Sequence, residues 1–467
     1  MIQVLWTDAL IFLLVVTITG FGLYARSREH LRAPWKQVVR KPLGMSALVI
    51  LLVYVLIGLM DSLHFRRALE VQNGNGQIQY AANIESVLDQ VLKGLRDSTE
   101  KTYSAPFSLT LYNKETIETE TGEIRREYPR LARAGSHLAD VADRDADLRQ
   151  RLSSGVIAAG LLWSLLVVVV VSLLAWQSRE SARHVVQTLC KGQRDLPWRS
   201  LLATVGIILL VVCLLVNLAG AYHVLGTDKV GEDVLYQALK SVRTGLVIGT
   251  LTTLIMLPFA VLLGIMAGYL KGWVDDVIQY VYTTLNSIPG VLLIAAAVLM
   301  MLVYMETHPE LFGTGVERSD FRLLFLCMIL GVTSWTGLCR LLRAETLKLS
   351  ELEYVQAAES LGVGRITIIL RHILPNVMHI ILIAVVMDFS ALVLAEAVLS
   401  YLNIGVDPTM YSWGNMINSS RLELAREPIV WWAFLAAFIF MFLLVLSANL
   451  FADAVRDAFD PRLRERS

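Results

Sequence analysis

The chain has little of what a soluble enzyme is built on. Charged residues fill only 18% of its 467 positions, against about 25% in an average soluble chain. Lys plus Arg and Asp plus Glu balance at 41 each, so no surplus charge argues for nucleic acid as a partner. Its four cysteines, Cys190, Cys213, Cys327 and Cys339, fall at no metal spacing and make no disulfide framework. His137, His223 and His308 form no spaced metal cluster either. There is no G-x-x-x-x-G-K-[ST] phosphate loop, no triad and no paired catalytic carboxylates. These absences argue that the chain itself neither hydrolyses ATP nor holds a cofactor.

What is abundant is apolar. Hydrophobic residues make up 55% of the chain, and its mean hydropathy is +0.57. One soluble domain could not bury so much, and disorder is excluded for the same reason. The charges sit in blocks between long uncharged runs, the layout of an all-α polytopic membrane protein. About nine stretches are long enough, or nearly so, to cross about 30 Å as helices. They are 8–24, 43–60, 156–176, 200–218, 243–268, 277–305, 323–343, 376–397 and 429–451. The first is followed rather than preceded by basic residues, so it reads as a span and not as a signal peptide.

Orientation follows from the basic loops. Segment 26–42 holds Arg26, Arg28, Arg32, Lys36, Arg40 and Lys41 against Glu29, and 177–199 holds Arg179, Arg183, Lys191, Arg194 and Arg199 against Glu180 and Asp195. Both are expected on the cytoplasmic side, together with 270–276, 344–375 and the C-terminus. The block 61–155 is then outside and is the only sizeable polar piece. Within it, Ile84, Val87, Leu88, Val91, Leu92 and Leu95 predict one amphipathic helix. Phe107–Tyr112 predicts a strand, Thr121–Gly122 a turn, and Leu131–Leu152 a helix.

Segment 351–376, ELEYVQAAESLGVGRITIILRHILPN, predicts a short helix, a glycine break at Gly362 and Gly364, a second amphipathic segment and a proline stop. Ala357 and Ala358 are small enough for a partner surface to come close. Pro375 suits the first turn of the next membrane helix. A short helix lying across a membrane face makes a lever that passes rigid-body motion to its flanking spans.

This pattern resembles the EAA loop of ABC importer permeases, in the form of the dipeptide/oligopeptide/nickel family. Further segments keep the family's order across 200–467: Leu225–Gly226–Thr227–Asp228 with Gly231–Glu232–Asp233 and Arg243, then Ser287–Ile288–Pro289. Next come Leu394–Leu402 with Ser412–Met416, and last Asp457–Leu463. The resemblance departs at Gln356, where the family has the leading Glu of its triplet, and at Glu232, where it has Arg. It implies a permease subunit whose C-terminal six helices form a type I importer core at 200–467, with 1–199 an extension of three spans. An alternative division makes span two the first core helix, with an insertion at 61–199.

The resemblance further implies a second homologous permease, two ABC ATPase subunits that hold ATP and Mg, and a periplasmic solute-binding protein. It implies a bacterial inner membrane and peptides or similar small solutes as cargo. Glu353, Gln356, Ala357, Ala358, Glu359, Gly362, Leu374 and Pro375 would couple to an ATPase. Gly226, Thr227, Asp228, Asp233 and Arg243 carry the periplasmic motif. Asp388 and Glu396 interrupt the eighth apolar stretch and are candidates for the translocation pathway. Rival readings are a membrane sensor, for which 177–199 is too short a cytoplasmic module, and an ion-coupled carrier, which would need inverted repeats.

Overall fold

The computed structural model describes residues 2–26, 29–69, 79–81, 84–118, 124–312 and 314–459. The expected turn at Thr121–Gly122 and the end of the C-terminal motif, 460–463, lie outside the described residues. The helices, in order, are α1 (Trp6–Arg26), α2 (Glu29–Arg40), α3 (Pro42–Ser62), α4 (Val87–Val91), α5 (Lys93–Arg96) and α6 (Arg144–Ser178). There follow α7 (Ala182–Lys191), α8 (Trp198–Ala219), α9 (Val234–Leu270), α10 (Gly272–Ser287), α11 (Gly290–Thr307) and α12 (Gly315–Ser334). The last are α13 (Thr336–Ser350), α14 (Glu353–Ser360), α15 (Arg365–Ile368), α16 (Leu374–Tyr401), α17 (Trp413–Glu423) and α18 (Trp432–Phe459).

Among the described residues, 8 helical runs are long and apolar enough to cross a membrane. They contain α3, α6, α8, α9, α11, α12 with α13, α15 with α16, and α18. The stretch expected at 8–24 is helical throughout, inside the 21-residue α1. The stretch expected at 277–305 divides into α10 and α11, because Pro289 holds Ile288 extended (φ −90°, ψ 129°).

The chain forms two compact units. The first takes Val39–Arg243 and Tyr411–Ser447 with Met1–Gln3. Here α6 and α8 lie side by side: Gly155 meets Leu214, Gly206 meets Trp163, and Trp163 Nε1 donates to the Leu202 carbonyl at 2.9 Å. Helix α8 rests on α3 in turn, where Thr204 donates to Ser46 at 2.9 Å. Helix α3 reaches α18 through the Tyr54 hydroxyl, which donates to the Phe440 carbonyl at 2.8 Å. Amphipathic α7 starts on a Ser181 cap and seats Val185 and Leu189 against Val171.

The second unit takes Val4–Val38, Thr244–Met410 and Ala448–Ser467. One apolar cluster joins α9, α11 and α12; another joins α9, α10, α13 and α16. Gly264 and Gly268 of α9 give the reason for the second. Any side chain at either would collide with the α13 backbone at Cys339 or Arg343, so the two helices approach to backbone contact. Helix α1 is pinned to α12 where the Thr7 amide and hydroxyl both donate to Asp320. Helix α2 lays Trp35 and Val38 against Ala454, Val455 and Phe459 of α18.

The polar block differs most from expectation. The single helix expected at 84–95 is two short ones, α4 and α5, broken at Leu92. Ser86 and Asp89 form a capping box, which starts the helix at Val87 rather than Ile84. Phe107–Tyr112 is not a strand, and its one ladder contact is an isolated bridge from Thr110 to Arg130. The helix expected from Leu131 begins only at Arg144, because residues 132–134 spend their amides on the Glu100 carboxylate. A hairpin, Glu115–Glu118 against Ile124–Glu127, stands outside these contacts.

Candidate functional site

The segment 351–375 and the loop before α9 each lie within one unit. The segment 351–375 lies in the second. Helix α13 ends at Ser350, Leu352 is extended, and α14 follows. Gly362 closes α14 in the left-handed region (φ +76°). Its amide bonds the Glu359 carbonyl at 3.0 Å and the Val363 amide bonds Ala358 at 3.1 Å, a Schellman closure. Gly364 is extended and starts α15. A π turn, Ile369–Ile373, then leads into α16, with the Leu374 amide bonding five residues back to Ile369. Pro375, exposed in the first turn of α16, lacks an amide to give, and the wider turn accommodates that.

The facing of α14 decides which side chains are available. Val355 and Ala358 turn inward, into the cluster that holds Tyr269, Ile278, Tyr282, Leu342, Ile368 and Ile373. Glu353, Gln356, Ala357, Glu359 and Gly362 are exposed, and Leu361 is 84% exposed. The expectation that both alanines admit a partner is therefore corrected. Ala357 faces out, while the small size of Ala358 is used inside the chain. Leu374 is half-buried.

The base beneath α14 is stiff. Asn376 Nδ2 donates to the Tyr354 hydroxyl at 3.1 Å and the His372 carbonyl at 2.6 Å, tying α14 to α16. Arg343 grips Asp275 with two bonds of 2.5 and 2.6 Å, tying α13 to α10. Lys271 sits 2.5 Å from Glu351 and holds that carboxyl below its ordinary range. A polar cleft of about 490 Å³ opens beside them, lined by Lys271, Ser350, Glu351, Gln356, Glu359 and Ser360. A push on the exposed face of α14 therefore meets a short helix braced to three long ones.

The second place is loop 221–233 in the first unit. Gly226 and Gly231 have φ of +71° and +79°. Both lie against the chain at 100–104, so closely that a side chain would overlap the Ser104 or Glu100 carbonyl. Thr227 is the hub: its hydroxyl donates to the Thr102 carbonyl at 2.9 Å and accepts the Ser104 amide at 2.6 Å. Trp432 Nε1 donates to the Thr227 carbonyl at 2.9 Å. Asp228 accepts the Val230 and Glu232 amides and Gln237 Nε2, which folds the turn. Asp233 caps α9 through the amides of Leu235 and Tyr236. Arg243 is buried and engaged. Glu232, the departure from the family pattern, accepts from the Tyr411 hydroxyl at 3.0 Å.

His223 and Glu100 are the residues that sequence reasoning missed here. His223 Nδ1 is 2.7 Å from Asp233, and Nε2 is 3.7 Å from Glu100; all three side chains are buried. Burial alone would lower the His223 pKa. The Asp233 hydrogen bond and the Glu100 carboxylate outweigh it and raise the value to about 9. Burial would likewise raise Glu100, but His223 and the three amides at 132–134 hold it below the ordinary range.

The two acids of α16 part company. Glu396 is buried and accepts the Ser400 hydroxyl at 2.7 Å. Asp388 is half-buried, and among the described residues it makes neither a hydrogen bond nor an ion pair.

Comparison with known proteins bears on the same segments. Residues 260–465 match the family described as binding-protein-dependent transport system inner membrane component. The chain is 33% identical over 244 residues to a glutathione transport system permease protein of Pectobacterium atrosepticum, covering 52% of this chain and 73% of that one. It is 31% identical over 245 residues to an oligopeptide transport system permease protein of Mycobacterium tuberculosis, covering 52% and 78%. It is 30% identical over 244 residues to a dipeptide transport system permease protein of Bacillus subtilis, covering 52% and 70%.

Proposed function

Because the chain belongs to the peptide-permease family of binding-protein-dependent ABC transporters, we propose that it forms one half of an importer's pathway for peptides or a small solute of similar chemistry. It is a multi-pass membrane protein and a permease subunit rather than an enzyme. In this reading a second, homologous permease completes the pathway in the bacterial inner membrane. Two ATPase subunits bind ATP and Mg, and a periplasmic solute-binding protein delivers the cargo. The basic loops 26–42 and 177–199 put α14 on the cytoplasmic side and loop 221–233 outside.

The observation that carries the reading is the exposed face of α14, Glu353, Gln356, Ala357, Glu359 and Leu361, on a base braced to α10, α13 and α16. One ATPase grips this face. When the ATPases close on ATP, α14 moves as a rigid piece and carries the ends of α13 and α16 with it. By sequence the six-helix core is the C-terminal six, 200–467, with 1–199 an extension; the Tyr54 bond to α18 favours the second division, in which α3 is the first core helix and 61–199 an insertion. Uptake of a radiolabelled tripeptide into proteoliposomes holding the complex purified through a tag on this chain tests the function. Uptake should require both ATP and loaded binding protein. Uptake driven instead by an ion gradient without ATP would contradict it.

A further inference from the structure

Asp388 stands near the middle of α16, about 20 Å from either end at 1.5 Å per residue. A carboxylate at that depth is costly unless it faces protein partners or water. Three other acids of the long helices have partners. Glu396 is met by Ser400, Asp320 by Thr7, and Asp61 by Lys240. Asp388 has none among the described residues, yet it is not closed off in an apolar core. Its neighbours explain how it is held. Ser390, Leu392 and Val393 turn into the unit, and Phe389 packs on Gly249 of α9. Met387, Ala391, Leu394 and Val398 form an exposed stripe at helical spacing, with Asp388 beside it.

Lipid can cover the apolar members of that stripe but not a carboxylate. A water-filled passage can cover both. We propose that Asp388 lines the passage and is the anionic station that receives the cationic α-ammonium group of the solute. The proposal deepens the peptide-importer reading and rests on it. A free peptide carries one such cation at its N-terminus, and a lone fixed carboxylate is its complement. Glu396, hydrogen-bonded and enclosed, serves the packing of α16 instead.

The test is charge replacement in the complete transporter, with the four native cysteines replaced. The Asp388→Cys variant should react with water-soluble thiosulfonates and lose about tenfold in uptake of a free-amino tripeptide. Modification with an anionic thiosulfonate should restore most of that loss, and a cationic one of similar size should not. The Asp388→Glu variant should keep uptake within about threefold of the parent. Failure of the thiol to react in the assembled complex overturns the placement in the passage. Equal effects of anionic and cationic reagents overturn the recognition of an ammonium group. Failure of the parent itself to take up peptides with ATP contradicts the peptide-importer reading, and the labelling result reports the placement separately.

Discussion

His223 shows how one side chain fastens a distant segment. It sits between Asp233, which caps α9, and Glu100, which gathers the amides of 132–134. With its pKa raised from 6.5 to about 9, the imidazolium contributes stability that is full below pH 6.5 and fades as pH rises through about 9. The shift corresponds to at most about 3 kcal/mol. Glu100 acts in the opposite sense: its contribution is present above the ordinary carboxylate range and is lost as acid protonates it. The melting temperature of the purified chain should therefore drop between pH 7 and pH 10, and the His223→Gln variant should start lower and change less across that window. Equal pH slopes for the two proteins would refute the role given to His223. Gly362 is a second single-residue case. Nothing lies within 4 Å of where its Cβ would be, so only its φ of +76° forbids a side chain. An L-residue held there costs about 1–2 kcal/mol, more when β-branched, and Asn tolerates it best. Gly362→Val should weaken ATPase retention on a tag pull-down, while Gly362→Asn should lose much less. Equal losses would point to a steric role that this position does not have.

At the scale of the element, α14 makes the clearest prediction because its two alanines face opposite ways. Ala358→Leu should lower the melting temperature of the isolated chain, since overpacking a filled site costs about 1–3 kcal/mol. Ala357→Leu should leave that temperature unchanged and reduce ATPase binding instead. The reverse pattern would mean that α14 is turned the other way. The sequence shows this element well in outline: the periodicity, the glycines and Pro375 mark a short helix, a reversal and a restart. It does not show the facing, which depends on the cluster around Tyr269 and Leu342 from other helices. The polar block was less legible for a related reason. Its apolar run at 84–95 has helical period, but the Ser86–Asp89 box and the break at Leu92 shorten it. Its stretch at 107–112 looks like a strand but its bonds are scattered, to loop 221–233 at Phe107, to Pro129 and Leu131 at Leu111 and Leu109, and to Tyr103 at Tyr112. At that loop the Phe107 amide meets the His223 carbonyl, and Ser104 meets Thr227 across a separation of 123 residues.

For the whole molecule, most of the long apolar runs were readable along the sequence, because a span must be apolar over about 20 residues, but the division of 277–305 at Pro289 was not. Nor were the bonds that join them. Tyr54 to Phe440 and Thr7 to Asp320 link residues 386 and 313 positions apart, and no local pattern announces them. The central claim is that this chain carries ATP-driven motion into its helices through the exposed face of α14. The most direct measurement is a short-range cross-link from the Ala357→Cys variant, in a background without native cysteines, within the transporter purified from its own membranes. The account predicts a covalent product with an ATPase subunit whose yield changes when ATP is bound, and none from the inward-facing Val355→Cys variant. A transporter that imports peptides with ATP yet gives no ATPase product from Ala357→Cys would contradict it.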